Sequence, residues 1–311
     1  MATDGGLADT TIDTDIKKGI RMIQSVAFIG LGAMGYRMAA HLVNNFAQVW
    51  VWNRNFVKAE QHAAEYGSQA VELAQAVQAD VIFSCLPTSQ DVIDLIETVQ
   101  LKPGSIWVDC TSGVPDSARL LHSRLKAQQI GFLDAPVSGQ TIGAEKGTLT
   151  VMIGGAAQDV ERALPAIECF AELIQHVGEP GAGFAVKAVN NMLMAVNLCA
   201  ALEGFGTLKA HGVDLNGALA CINASSGKSG VTESVLPQRI LNREFPLTFA
   251  LPLLAKDTGI ALDLVRQAKL AAPVIAQTQS LVQAASNQTD QSSDFSTLAH
   301  LYETWNKITI E

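Results

Sequence analysis

Lys187 opens the run "KAVNNMLMAVNLCAAL", otherwise uncharged, and two amides follow it at i+3 and i+4, Asn190 and Asn191. Helical spacing puts the three on one face. A lysine buried beside a carbonyl donates its proton when hydride arrives, or accepts one when an alcohol is oxidised, if burial lowers its pKa toward neutrality. Asn191 would then hold the amine or a substrate hydroxyl. A first-turn lysine also snorkels to solvent, and buried amides also pair with backbone, so spacing alone leaves both readings open.

A second constellation lies in "SVAFIGLGAMGYRMAAHL", residues 25 to 42, where Gly30, Gly32 and Gly35 form G-x-G-x-x-G with Leu31, Ala33 and Met34 between them. An apolar run ends at the first glycine, and Met34, Met38 and Leu42 follow at helical spacing. Such a strand-turn-helix makes a tight turn, admits a pyrophosphate to the backbone and packs helix on strand. The helix N-terminus supplies N–H groups and partial positive charge to the anion. About 20 residues on, an NAD site places an acidic residue for the ribose 2′-hydroxyl. Here the second strand ends in Asn53-Arg54-Asn55. No carboxylate repels a 2′-phosphate, and the Arg54 fork can pair with one, which favours NADP(H) while leaving NAD(H) possible.

The elements that must hold these groups follow from periodicity. After the glycine helix come a strand at 49–52, a helix in "VKAEQHAAEYG", a buried strand at 79–87 and a helix from Asp91 to Val99. A strand at 104–110, a helix in "VPDSARLLHSRLKAQQ" and a strand in "IGFLDAPV" continue the alternation. The pattern predicts an α/β Rossmann-type, doubly wound, mostly parallel sheet. Strand signals stop near Gly183, and helices begin near Gly183, after Asp214, and near Thr232, Leu253 and Pro273. The expected division is a loose extension over 1–21, a dinucleotide domain over 22–184 and an all-α domain over 185–311. "SNQTDQSSD" (286–294) reads as a solvated loop. Met22 is a more usual start to the first strand.

A net charge of −9 disfavours nucleic acid and anionic membrane as partners. The stretch from Ala188 to Leu202 is too short to span a bilayer and reads as a buried helix. Five scattered cysteines suit the cytoplasm better than a disulfide framework, and six histidines without ligand spacing point to no metal.

The motif order resembles the β-hydroxyacid dehydrogenase family, which includes 3-hydroxyisobutyrate dehydrogenase, tartronate semialdehyde reductase and short-chain semialdehyde reductases, and is related to 6-phosphogluconate dehydrogenase. The resemblance runs through "FIGLGAMG" (28–35), "CLP" (85–87), "DCTS" (109–112), "DAPVSGQTIGAEKGTLTVMIGG" (134–155), "GAGFAVKAVNN" (181–191) and "FALPLLAKD" (249–257). It implies that Lys187 is the catalytic lysine and Asn191 its supporting amide, with Asn190 beside the substrate. It implies that Ser138 and Gly139 bind the substrate carboxylate, and that Leu86, Pro87 and Ser112 line the nicotinamide pocket. Lys256 and Asp257 are implied to close over the site, Lys256 toward cofactor or substrate.

Three positions depart from the family pattern: Gln140 stands where a second glycine is usual and brings an amide to the substrate pocket, Ser112 replaces threonine, and Gly230 stands where many members carry an aromatic. The resemblance implies hydride exchange between nicotinamide and a small 3-hydroxy acid or its semialdehyde. It also implies a homodimer or tetramer joined through the helical domain. An imine reductase and a non-catalytic NADP-binding scaffold are the alternatives, and Lys187 argues against both.

Overall fold

The computed structural model describes residues 23–290 and 292–311; the expected extension over 1–21 lies outside them. The chain divides into two compact units that meet between Lys187 and Ala188.

The first unit is built on a nine-stranded sheet of order β3-β2-β1-β4-β5-β6-β8-β7, with β9 paired to β8. Strands β1 (Ser25–Ile29), β2 (Gln48–Trp52), β3 (Gln69–Ala70), β4 (Val81–Ser84), β5 (Ile106–Asp109) and β6 (Gly131–Asp134) are all parallel. In β1 the side chains alternate: Val26 and Phe28 enter one apolar core, Ala27 and Ile29 the other. Both faces are therefore covered, which is why the strand reads as an unbroken apolar run. Helices α1 (Gly35–Val43), α2 (Val57–Tyr66), α3 (Leu73–Ala76), α4 (Ser89–Glu97) and α5 (Pro115–Lys126) alternate with the parallel strands. A capping box starts α4: Asp91 N–H donates to Thr88 Oγ1 and Thr88 N–H donates to the Asp91 carboxylate.

The strand expected in "IGFLDAPV" is cut in two. It stops at Asp134, turns at Ala135-Pro136 and resumes as β7 (Val137–Ser138), which runs antiparallel to β8 (Leu149–Gly154). Helix α6 (Gln140–Lys146) joins β7 to β8, and α7 (Ala157–Ile167) precedes β9 (Ala171–Gly178). Strand β9 pairs parallel to β8 with register shifts at Leu149/Thr150 and Ile153/Gly154.

Helix α8 (Ala182–Ala210) is 29 residues long and carries the chain from the first unit into the second. By length and composition alone it could cross a membrane, a test that a core helix also passes, and 44% of its most apolar window is buried within the protein. It is not buried all round: Val189 and Leu193 are 42% and 57% exposed, on the same side as exposed Asn190 and Asn197.

The second unit packs α9 (Leu215–Asn223), a π-helix (Val231–Ile240), α10 (Leu251–Gln267), α11 (Pro273–Ser286) and α12 (Leu298–Asn306) around a core that includes Leu198, Leu202, Leu236 and Leu254. The helix expected near Thr232 is the π-helix, with Pro237 inside it. The stretch 286–294 is not wholly solvated, because it ends at buried Asp294. That carboxylate accepts N–H bonds from Thr248, Phe249 and Ser296 and faces the Arg239 guanidinium at 3.3 Å.

Candidate active site

At the C-terminal end of β1 the chain turns through Gly30 with φ +95°, a conformation that favours glycine. A Cβ there would lie 2.4 Å from the Cys85 carbonyl oxygen, and one on Gly35 would lie 2.0 Å from the Gly30 oxygen. Over Gly32, by contrast, a Cβ would meet nothing within 4 Å. Two of the glycines thus serve close packing of loop and helix, and the middle one faces open space where an anion can approach. Met34 starts α1 without a side-chain cap and no acidic residue occupies the first turn, so its N-terminus suits a phosphate. The Arg37 guanidinium donates to the Ala33 oxygen at 2.7 Å.

Asn53 ties the glycine loop to the end of β2. Its Oδ1 accepts the Leu31 N–H at 3.0 Å, and its Nδ2 donates to the Asn55 oxygen at 3.0 Å. Both ends of this amide are used in shaping the loop. Arg54 is exposed and forms no ion pair with any described residue. Across the sheet, the Leu86 N–H donates to Thr111 Oγ1 at 3.1 Å and joins the loops after β4 and β5. Pro87 is exposed and Ser112 half-buried on those loops.

The loop after β6 carries half-buried Ser138, followed by Gly139 at φ +137° and Gln140 at φ +57°. Gln140 holds a left-handed conformation that costs a side-chain-bearing residue of order 1 kcal/mol. Lys187 lies in the second turn of α8, half-buried. The start of that helix is held by Asp134, the last residue of β6. Fully buried, its carboxylate accepts the Gly181 N–H at 2.7 Å and the Phe184 N–H at 2.9 Å. Burial pushes the Asp134 carboxyl up to about 6 against the pull of those N–H groups, and Asp109 on the neighbouring strand pushes the same way.

In the second unit Asn191, 4% exposed, donates from Nδ2 to Asp257 Oδ2 at 2.6 Å. Asp257 is 1% exposed, and its other oxygen lies 3.4 Å from Lys256 Nζ. Asn190 is exposed and donates to Asn191 Oδ1 at 3.1 Å. The first unit carries the glycine loop, Asn53, Leu86, Ser138 and Lys187 along its chain, and the second brings Asn191, Asp257 and Lys256 into contact.

Residues 25–178 match the family described as the NAD binding domain of 6-phosphogluconate dehydrogenase, and residues 181–302 match that described as the NAD-binding of NADP-dependent 3-hydroxyisobutyrate dehydrogenase. The NAD-dependent L-serine dehydrogenase of Pseudomonas aeruginosa is 32% identical over 90% of this chain and 98% of its own. The chain belongs to the β-hydroxyacid dehydrogenase family. Another relative, 2-(hydroxymethyl)glutarate dehydrogenase of Eubacterium barkeri, is 34% identical over 81% of this chain and 85% of its own. The Mycobacterium tuberculosis 3-hydroxyisobutyrate dehydrogenase, solved with L-serine, superposes with a TM-score of 0.84 at 30% identity, covering 90% of this chain and 99% of that one.

As a β-hydroxyacid dehydrogenase family member the chain is an NAD(P)-dependent oxidoreductase acting on CH–OH groups. Its glycine loop, with open space over Gly32 and an uncapped α1, fits the dinucleotide. Sequence reasoning passed over two groups that organise this site, Asp134 and Thr111. The signal for Asp134 was present in "GFLD", where a carboxylate ends an otherwise apolar buried strand.

Proposed function

We propose that the chain oxidises a small 3-hydroxy acid, or reduces the corresponding semialdehyde, with NADP(H) preferred over NAD(H) and Lys187 moving the proton. The observation that carries this reading is the α8 face on which Lys187 stands one turn before Asn191, whose amide is fixed at 2.6 Å by the buried Asp257 carboxylate. With Nδ2 engaged there and one lone pair of its oxygen taken by Asn190, Asn191 has the second lone pair to offer an ammonium one turn away.

When bound, the nicotinamide supplies or accepts the hydride at its C4. Lys187 gives a proton to the carbonyl oxygen in reduction and takes it from the hydroxyl in oxidation. Ser138 Oγ and the Gly139 N–H hold the substrate carboxylate, and the Gln140 amide, fixed by its left-handed backbone, reads the substituent beside it. Leu86, Pro87 and Ser112 line the nicotinamide pocket, and Lys256, steadied by Asp257, neutralises charge on cofactor or substrate. Arg54 pairs with the 2′-phosphate. The substrates in the relatives' names share a hydroxymethyl group on the carbon that bears the carboxylate, which supports the same class here.

The first unit holds the dinucleotide, and the helical unit carries Asn191, Lys256 and Asp257 and joins copies into a homodimer or a dimer of dimers. Exposed Val189 and Leu193 on α8 support that association. Free cysteines and a net charge of −9 suit a cytoplasmic enzyme. A monomer by light scattering would defeat the dimer.

The test is absorbance-monitored NADPH oxidation with succinic, tartronate and methylmalonate semialdehydes and glyoxylate, and the reverse reaction with L-serine and 3-hydroxyisobutyrate. Lys187→Met is expected to lower kcat by ~10³-fold or more while NADPH binding stays within twofold, the general acid–base share being 10²–10⁴. Wild-type turnover by Lys187→Met would overturn the proton-transfer reading. Arg54→Ala is expected to cut the preference for NADPH over NADH at least tenfold, and faster wild-type turnover with NADH would remove the role given to Arg54.

A further inference from the structure

Helix α8 begins without a cap of its own. Gly181 stands at its N-cap position with φ +93° and carries no side chain; the Ala182 N–H is taken locally by the Glu179 oxygen, but the Gly181 and Phe184 N–H groups need an acceptor from elsewhere. Other helices here use the local solution: Thr88 caps α4 and Asp214 caps α9. For α8 the acceptor comes from the sheet, 47 residues earlier in the chain, as Asp134 takes the Gly181 and Phe184 N–H groups on its two oxygens.

The surroundings leave that carboxylate no freedom. A Cβ on Gly154 would lie 2.5 Å from Asp134 Oδ1, and one on Gly183 would lie 2.6 Å from the Asp134 carbonyl oxygen and 2.3 Å from that of Met152. The helix start is therefore laid against the ends of β6 and β8, backbone to backbone. Four residues after Asp134 comes Ser138, and three residues after Phe184 comes Lys187. One side chain thus joins the loop assigned to the carboxylate and the helix turn assigned to the proton.

We propose that Asp134 is a positioning residue for the reaction: by capping α8 from β6 it sets Lys187 against Ser138 and Gly139. A cap serving stability alone would be supplied by a hydroxyl at the helix start, without burying a carboxylate whose pKa rises to about 6. The strand-borne carboxylate fixes where the helix sits as well as that it forms. The inference rests on the proton-transfer role proposed for Lys187.

The test uses Asp134→Asn and Asp134→Ser in the full-length protein, each alone and combined with Lys187→Met. The amide keeps one acceptor but turns a donor toward the other N–H, so the first turn loses half of its tether. Asp134→Asn is expected to fold with an undiminished melting temperature, because a buried charge is removed, and to bind NADPH within twofold of wild type. Its kcat falls at least tenfold with KM within threefold, and the solvent deuterium isotope effect on kcat rises as proton transfer becomes limiting. Asp134→Ser, whose hydroxyl cannot reach both N–H groups, is expected to show the same kinetic pattern with a lower melting temperature. In the Lys187→Met background Asp134→Asn changes the residual rate by less than twofold, since it acts through the lysine.

Wild-type kcat in folded Asp134→Asn overturns the proposal, as does an equal fall in the Lys187→Met background. Failure of both variants to fold also overturns it, since the residue's role would then belong to the fold. If Lys187→Met itself turns over normally, the proton-transfer reading falls and takes this one with it. An inactive Lys187→Met beside a fully active Asp134→Asn removes the positioning role alone.

Discussion

Gly183 gives the sharpest test of how α8 is seated, because two effects of opposite sign meet there. In a helix interior, replacing glycine by alanine ordinarily stabilises by about 1 kcal/mol. At Gly183 the added Cβ would stand 2.3 Å from the Met152 oxygen and 2.6 Å from the Asp134 oxygen, where ordinary contact begins at 3.4 Å. Both are backbone atoms of sheet strands, Met152 within β8 and Asp134 at the end of β6, and cannot swing aside, so the helix start must lift by about 1 Å. That stretches the Asp134 bonds to Gly181 and Phe184, now 2.7 and 2.9 Å, beyond useful length. Two hydrogen bonds to a charged group are worth about 1.5–3 kcal/mol each. Set against the helical gain, Gly183→Ala is expected to destabilise by about 2–5 kcal/mol.

Urea unfolding followed by tryptophan fluorescence reads this directly, since Trp50, Trp52 and Trp107 lie in the first unit and Trp305 in the second. Gly259→Ala is the control, because a Cβ there meets nothing within 4 Å inside α10. It is expected to stabilise by about 0.5–1 kcal/mol. If Gly183→Ala gains stability as Gly259→Ala does, the close seating of α8 on β6 and β8 is wrong.

Removing the α4 cap by Thr88→Ala is expected to cost about 1 kcal/mol in the same urea titration, with a loss below 0.3 kcal/mol refuting the capping box. Asp134 carries a pH signature. Its folded pKa is raised from 3.8 to about 6, so the stability it contributes is fully present below about pH 4 and lost as pH rises through 6. Thermal melts should show Asp134→Asn gaining up to about 3 kcal/mol on wild type between pH 4 and 7, and a pH-independent difference would refute the burial. Asp294 has the opposite sign. Burial pushes its carboxyl up, but the Ser296 hydroxyl and the N–H groups of Thr248, Ser296 and Phe249 hold it below the usual range. The stability it gives is therefore present above pH 4 and lost as pH falls through its folded value. Asp294→Asn leaves Arg239 buried without its counter-charge and is expected to cost about 3–5 kcal/mol at pH 7, a loss that shrinks in acid.

The parallel half of the sheet was legible because its central strands are buried on both faces and bounded by amphipathic helices, as in Val81–Ser84 before α4. The antiparallel turn at Asp134–Ser138 was not, since a buried strand and a buried turn with proline read alike as apolar residues. The glycine loop could be read because its spacing is a backbone requirement, whereas the use of Asn53 to shape the loop could not, since an amide has the same letter whichever way it faces. Asp294 was missed for the complementary reason. Its neighbours in "SNQTDQSSD" are polar, and only the chain returning through Thr248 and Phe249 shows what the carboxylate holds. Likewise Lys187 and Asn191 could be placed on one helix face from spacing, but the burial of Asp257 beside Asn191 depends on α10, which lies 60 residues later.

Strand β9 pairs with β8 along one side only, and among the described residues no strand pairs with its other side. Eight residues of unpaired backbone, with Leu173 and Val177 exposed at 49% and 37%, would template the addition of a foreign strand. The two register shifts limit that hazard. They leave only Thr150–Ile153 in continuous register with Leu173–His176, and each shift adds local twist to the edge. Four regular residues fall short of the six or seven that a stacked fibril segment needs. The irregular pairing of β8 and β9 thus acts as a built-in brake on aggregation, and straightening it for stability would expose the enzyme to self-assembly.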